Sequence, residues 1–135
     1  MAEQITMDFN FSGGYEYGIK EHELNEHEIK HKEELQEARN LARQFGLENR
    51  GQEKYGLPYS CTADDVNELM EQQGVTGNKA WMGSVFREKD KNDNNVWNGD
   101  PGRGYRYYSK KEGNHAREIR IWCLNREYLQ LMGRI

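Results

Sequence analysis

The sequence predicts an α+β domain whose helices come first along the chain and whose strands come last. Two patterns carry this prediction. In residues 28–45 and 62–73, apolar side chains recur at the spacing of one helix face. Residues 117–124 instead place alternate side chains on two opposite faces, which is typical of a strand.

The size and polarity of the chain indicate one domain and a tail. The chain has 135 residues and a mass of 15.9 kDa, which suits a single core. Charged residues make up 31% of it and the mean hydropathy is −1.13, so part of the chain contributes little to a core. We therefore divide it into a flexible acidic arm, residues 1–27, and a folded domain, residues 28–135.

The composition and the cysteine spacing also indicate the cellular compartment of the protein. No run approaches the roughly 18 apolar residues of a membrane helix. The N-terminus lacks the cationic and apolar regions of a secretory signal. The two cysteines, Cys61 and Cys123, lie far apart and show no zinc-site spacing. We therefore expect a reduced cytoplasmic protein with no membrane partner, no metal and no cofactor.

The first helix is predicted over residues 28–45. Four apolar side chains from Leu35 to Phe45 fall on one of its faces, and Gly46 is a suitable stop. Residues 46–60 are rich in glycine and polar side chains, so they are predicted to form a loop.

Two further helices follow and are joined by a short turn. Thr62 is a good N-cap for the second helix, because its hydroxyl can accept a hydrogen bond from a free backbone N–H. Gly74 ends that helix, and the third runs from Lys79 to about residue 88. The connecting turn, residues 74–77, is short enough for a helix-turn-helix.

The predicted strands complete the pattern. Residues 96–97 and 105–109 precede the strand at 117–124, and Asn125 can cap a short final helix. Helix, helix, helix, strand, long loop, strand is the chain order of a winged helix, a helix-turn-helix variant with a β-hairpin wing. The specific prediction is a winged helix with a flexible or helical N-terminal arm and a short C-terminal helix.

Charge is distributed unevenly between the two parts of the chain. Residues 1–76 carry 7 Lys+Arg and 16 Asp+Glu, a net charge of −9. Residues 77–135 carry 12 Lys+Arg and 7 Asp+Glu, a net charge of +5. This asymmetry favours a nucleic-acid-binding surface on the second part and a different role for the first.

Three blocks of the sequence carry a resemblance to a known group of proteins. They are residues 62–66, residues 78–87, which read Asn-Lys-Ala-Trp-Met-Gly-Ser-Val-Phe-Arg, and residues 119–124. They resemble small phage and prophage proteins that lie near replication and recombination genes and are similar to winged-helix DNA-binding proteins. The resemblance covers residues 35–124 and implies a role in the host bacterial cytoplasm. This chain departs from the pattern by one residue in the second block and by a longer wing.

Two polar segments contain the candidate DNA contacts. The second helix of a helix-turn-helix lies in the major groove, and cations interleaved with aromatic side chains in a wing neutralise phosphates. The alternative is a solvated polar face above an apolar core. The candidate DNA-binding residues are Asn78, Lys79, Ser84, Arg87, Arg103, Arg106, Lys110 and Lys111.

The N-terminal segment, residues 4–9, resembles the peptide Gln-x-x-Leu-x-Phe that binds the bacterial sliding clamp. Such a peptide places two apolar anchors in preformed pockets while its glutamine forms hydrogen bonds. Methionine is an adaptable replacement for leucine. The candidate partner-binding residues are therefore Gln4, Met7 and Phe9. The alternative is a tail whose phenylalanines pack on their own domain.

One motif is typical of an enzyme, but the residues around it are not typical of an active site. Residues 27–31 match the His-Glu-x-x-His of zinc hydrolases, in which two histidines one helical turn apart share the metal. The preceding turn is polar and no third ligand follows at a recognised spacing. A solvated charged helix is the better interpretation, and we expect no enzymatic activity.

These patterns predict a phage-type winged-helix protein that binds double-stranded DNA in replication, recombination or regulation. Its N-terminal peptide would recruit it to the sliding clamp or to another host replication protein. The alternative hypothesis is an inhibitor or adaptor that binds a host protein through the same scaffold and its acidic arm, without binding DNA. The sequence leaves the DNA site and the oligomeric state open.

Overall fold

A computed structural model of the chain describes residues 18–110 and 117–135. It combines helices and strands, as expected of an α+β protein. The chain divides into two compact units, Met1–Glu33 and Glu34–Ile135. The first unit contains the N-terminal part of the first helix, and the second contains the other elements. No helix in the described ranges is both long enough and apolar enough to cross a membrane.

The described elements alternate between helices and very short strands. In chain order they are α1 (Gly18–Leu47), α2 (Gly51–Tyr55), β1 (Ser60–Cys61), α3 (Ala63–Gln72), a 3-10 helix (Met82–Arg87), β2 (Trp97–Asn98), β3 (Tyr107–Tyr108), β4 (Glu118–Ile119), β5 (Trp122–Leu124) and α4 (Arg126–Leu131).

The main sheet has three antiparallel strands in the order β1-β5-β2. Cys61 pairs with Trp122, and Trp97 pairs with Leu124. Directly opposed residues share a face of a sheet, whereas neighbours along a strand do not. These four side chains therefore lie on one face and Cys123 lies on the other.

The two cysteines are consequently separated by the sheet. Cys61 and Cys123 are both free and buried. Burial raises the pKa of each thiol, which favours the protonated and unreactive form. They are packing residues, in keeping with a protein whose thiols stay reduced.

The larger core covers the Trp97 face of the main sheet. Ala38 and Ala42 of α1, Val66 and Met70 of α3 and Val85 of the 3-10 helix are inaccessible to solvent. Burying a side chain such as valine or methionine contributes about 2 kcal/mol. The apolar faces predicted for the first two helices are therefore confirmed.

A smaller core covers the opposite face of the sheet. Tyr55 and Leu57 pack there against Ile121 and Cys123, and Tyr107 joins them from β3. The predicted alternation of residues 121–124 is confirmed, because Ile121 and Cys123 belong to this core while Trp122 and Leu124 contact the larger one.

Helix α3 begins as the sequence predicts. Thr62 is its N-cap, and the Thr62 hydroxyl accepts a hydrogen bond from the Asp65 backbone N–H. The Asp65 carboxylate in turn accepts from the Thr62 backbone N–H at 2.9 Å. This reciprocal pair is a capping box, which satisfies two backbone donors at once.

The Asp65 carboxylate also joins three segments of the chain. Lys54 Nζ donates to its Oδ1 at 2.7 Å, and the Tyr55 hydroxyl donates to its Oδ2 at 2.7 Å. Burial raises the pKa of Tyr55 far above its ordinary value, so the hydroxyl keeps the proton that it donates. Asp65 is only 1% exposed, and these donors provide the compensation that a buried carboxylate requires.

The first helix is longer than the sequence predicts. It begins at Gly18, because residues 20–34 are largely glutamate, lysine and other residues that tolerate a helix without needing to pack. Gly46 does not end it. That glycine is buried within α1 close to Leu124 and Trp97, and the chain turns at Asn49, whose φ is 60°.

The predicted loop at residues 46–60 contains α2 and reaches β1. Strand β1 forms only because Ser60 and Cys61 pair with Cys123 and Trp122 of β5, which are distant in sequence, so no local pattern indicates it. The predicted strand at 117–124 is divided into two strands, because each part has different partners. Strand β4 pairs with β3, whereas β5 pairs with β1 and β2.

The third helix differs in both type and length from the predicted α-helix at 79–88. Met82 N donates to the Lys79 carbonyl, and Ser84 N donates to the Trp81 carbonyl. Such three-residue spacing defines a 3-10 helix. Gly83 and Ser84 favour an α-helix only weakly, and this is the physical reason for the shorter element.

The final helix begins where it is predicted, with Asn125 at the N-cap position. However, the Asn125 side chain does not cap α4. Its amide nitrogen donates to the Asn95 carbonyl at 2.7 Å. The residue therefore links the start of α4 to the segment before β2.

We predict that Asp65→Ala lowers the free energy of unfolding by about 3 kcal/mol. The change removes the Asp65 half of the capping box and leaves the Thr62 N–H and the Lys54 ammonium without that acceptor, while the Tyr55 hydroxyl keeps only Thr62 Oγ1 at 2.9 Å. Urea denaturation measures the loss. The control is Glu68→Ala, which removes an exposed carboxylate from the same helix and should change the stability by no more than about 0.5 kcal/mol. An Asp65→Ala protein as stable as the control would contradict this account.

Candidate nucleic-acid interface

Strands β3 and β4 form a two-stranded antiparallel ribbon, separate from the main sheet. Tyr107 is opposite Ile119 and Tyr108 is opposite Glu118. Ser109 N donates to the Arg117 carbonyl at 2.7 Å and extends the pairing by one residue. Because side chains alternate along a strand, this register gives the ribbon an inner and an outer face.

The inner face of the ribbon is fixed to the domain by aromatic packing. The ring of Tyr107 meets the ring of Tyr55 edge to face, with centroids 4.8 Å apart and an interplanar angle of 86°. Such pairs add about 0.5–1.5 kcal/mol beyond the area that they bury. Ile121, which follows the ribbon, is buried in the same core.

A carboxylate at the start of α3 holds the ribbon at a second point. Asp64 Oδ1 accepts from the Ser109 hydroxyl at 2.8 Å, and Asp64 Oδ2 accepts from the Lys110 backbone N–H at 2.8 Å. Both oxygens of Asp64 are therefore engaged by β3 and the residues after it. The N-terminal end of a helix also favours a negative charge at this position.

The outer face of the ribbon is cationic. Tyr108 and Glu118 lie at its centre, Arg106 and Lys110 flank Tyr108 along β3, and Arg120 follows Glu118. All five side chains are exposed. Three cations thus accompany one carboxylate: Arg106 lies 3.6 Å from Glu118, and the Arg120 guanidinium lies over the Trp122 ring, 5.6 Å from its centroid. We call these five residues the outer face.

Arg103 lies in the loop that precedes β3. Its guanidinium is 2.9 Å from the Asp100 carboxylate, and both side chains are more than 70% exposed. An exposed pair of this kind contributes at most about 1 kcal/mol. Arg103 could therefore exchange Asp100 for another anion at little cost.

The 3-10 helix is fixed by side chains of α1. Trp81 Nε1 donates to Glu34 Oε1 at 3.0 Å, and an Arg39 guanidinium nitrogen donates to the Ser84 carbonyl at 2.8 Å. Asn78 and Arg87 are exposed on this segment, whereas Ser84 is half-buried. Arg43 of α1 adds an ion pair with Glu88 at 3.1 Å, directly after Arg87.

Lys79 is placed differently from the sequence-based expectation. Its side chain is only 2% exposed. The ammonium donates to the Gly77 carbonyl at 3.4 Å and lies 3.8 Å from the Glu71 carboxylate. A buried ammonium needs such partners, so in this structure Lys79 stabilises the turn between α3 and the 3-10 helix and does not face solvent.

Several predicted site residues lie outside the described part of the chain. These are Lys111 in the ribbon connection and the clamp-peptide residues Gln4, Met7 and Phe9. Their roles stay predictions of the sequence. The side chains of His27 and Glu28 in the His-Glu-x-x-His match also lie outside the described part. Among the side chains of residues 29–110 and 117–135, no group of three or more His, Cys, Asp or Glu is arranged to hold a metal ion.

The structure adds residues that the sequence reasoning did not select. Arg120 joins the outer face, and the alternation of residues 117–124 could have indicated it, because Arg120 is opposite in face to Ile119 and Ile121. Asp64 was recognisable only as an acid in the first turn of a helix. Its contact with Ser109 spans 45 residues, and no local pattern indicates it.

We predict that Asp64→Asn loosens the ribbon, because a neutral amide with one oxygen replaces the two charged oxygens that accept from Ser109 and Lys110. Amide hydrogen exchange at Lys110 should become about fivefold faster, as expected for one lost hydrogen bond. The matched control is Glu68→Gln on the same helix, which should leave that exchange rate unchanged. Equal rates at Lys110 in the Asp64→Asn variant and the wild type would refute the proposed attachment.

Comparison of the chain with models of protein families, with curated proteins and with solved structures finds no match. We therefore identify the candidate interface from the structure alone. It consists of the exposed cationic ribbon, whose inner face packs on the domain, and of the 3-10 helix, which side chains of α1 hold in place.

Proposed function

We propose that this chain is a winged-helix protein that binds double-stranded DNA, with the β3–β4 ribbon as its wing. The outer face of the ribbon is the observation that carries the proposal. Arg106, Lys110 and Arg120 are exposed there, and the opposite side of the ribbon is packed on the domain. Cations held in fixed positions are what phosphate recognition requires.

The order of the elements supports this proposal. Helix α3, a turn and the 3-10 helix follow one another as the two helices of a helix-turn-helix do. The ribbon is inserted between β2 and β5, which are neighbours in the main sheet. A wing placed beside a helix-turn-helix can contact the same stretch of duplex as the second helix.

The charge of the ribbon segment also supports phosphate binding. Residues 99–121 carry six Lys+Arg and three Asp+Glu. The ion pairs that the structure describes in this segment, Arg103 with Asp100 and Arg106 with Glu118, are highly exposed. Exposed pairs are weak, so each arginine can turn to a phosphate, whose two anionic oxygens accept bidentate hydrogen bonds.

The 3-10 helix would contribute the contacts near the bases. Arg87 is exposed on it, Asn78 is exposed in the turn that precedes it, and α1 fixes its position through the Ser84 carbonyl. Asparagine and arginine both form bidentate hydrogen bonds with base edges. Lys79 is not part of the proposal, because its ammonium is buried.

We predict that reversing two charges, Arg103→Glu together with Arg106→Glu, weakens duplex binding at low salt by at least about tenfold. Fluorescence anisotropy with a labelled mixed-sequence duplex, repeated at several salt concentrations, measures this. The slope of log K against log salt should fall by about 2, because each lost phosphate contact removes about 0.9.

Arg134→Glu is the matched control, since it reverses an exposed charge near the C-terminus and outside the ribbon. It should retain most of the affinity and of the salt slope. Thermal unfolding of each variant verifies that the fold is intact. A wild-type protein that fails to bind duplex DNA at low salt would overturn the proposal and favour the protein-binding adaptor.

A further inference from the structure

Tyr108 places an aromatic ring on the cationic outer face. The residue is 48% exposed, whereas its neighbour Tyr107 is packed edge to face on Tyr55. Among the side chains of residues 29–110 and 117–135, no ring pair and no cation–π contact involves Tyr108. A face of the Tyr108 ring is thus open to a ligand.

The backbone around Tyr108 is fixed on both sides. Tyr107 is anchored in the smaller core, and the Lys110 N–H is bonded to Asp64. The ring itself has only two rotatable bonds. An aromatic side chain on such a support loses little conformational entropy when it stacks on a ligand.

The neighbours of the ring indicate the chemistry of that ligand. Arg106 and Lys110 lie two residues before and after Tyr108 on the same face, whereas the Arg120 guanidinium lies over the Trp122 ring. A ligand that matches one ring between two cations has a flat aromatic group beside negative charges. A nucleotide with an exposed base has both. In a duplex the base faces are covered by their neighbours, whereas single strands expose them.

We propose that the outer face of the ribbon binds single-stranded DNA, with one unpaired base stacked on Tyr108 and adjacent phosphates bound by Arg106 and Lys110. The inference rests on the proposed DNA-binding function and extends it to duplexes that adjoin an unpaired segment. Tyr108 is then the residue that distinguishes unpaired from paired DNA, and the cations supply affinity for both.

The test compares three labelled probes by fluorescence anisotropy: an oligothymidylate, an abasic oligonucleotide of the same length, and a duplex. The abasic probe keeps the phosphates and lacks the bases. The wild type should prefer the oligothymidylate to the abasic probe by at least about fivefold, the lower range for one stacked base. Tyr108→Ala should abolish this preference, because no ring then remains on which an unpaired base can stack.

Two matched variants complete the design. Tyr108→Phe keeps the ring and should keep the preference. Tyr105→Ala removes a tyrosine that is equally exposed, at 49%, three residues away, and should also keep it. Thermal unfolding checks that each variant remains folded.

The outcomes separate this inference from the proposed function. Salt-dependent duplex binding without a preference for the oligothymidylate would overturn the inference alone. A preference that survives Tyr108→Ala, or that Tyr105→Ala removes equally, would overturn the assignment to Tyr108. Absence of binding to all three probes would overturn both proposals.

Discussion

The buried Asp65 carboxylate joins segments that are too short to be stable alone. Helix α2 has five residues and β1 has two, and isolated elements of such length are marginal in water. Asp65 accepts from Lys54 and Tyr55 at the end of α2 and from the Thr62 N–H that opens α3. The smaller core, the cap of α3 and the position of β1 therefore depend on one side chain.

The preceding residue, Asp64, connects that interior to the surface that we propose binds DNA. Asp64 binds Ser109 and Lys110 of the ribbon, while Asp65 orients Tyr55, the ring on which Tyr107 rests. Two adjacent acids at the start of α3 thus support the ribbon from two directions. A fixed ribbon presents its cations without the entropy loss that a mobile loop would suffer on binding.

The sequence predicts correctly those elements that depend on residues close together in the chain. The capping box at Thr62 is encoded within four residues, and the alternation at 121–124 follows from side chains facing two cores. Strand β1 was missed because its pairing partner, β5, is distant in sequence. The sequence predicts Lys79 as a DNA contact because it reveals the charge of a side chain but not its burial. In the structure the Lys79 ammonium is buried beside the Gly77 carbonyl and the Glu71 carboxylate.

The central claim is that the outer face of the ribbon, held on the domain by its inner face, is the DNA-binding surface. Nuclear magnetic resonance of the labelled full chain, titrated with duplex DNA, tests it most directly. The account predicts that the amide shifts of Arg106, Tyr108, Lys110 and Arg120 move most, together with Arg87 on the 3-10 helix. Shifts confined to α4, or none at any of these five residues while binding occurs, would contradict it.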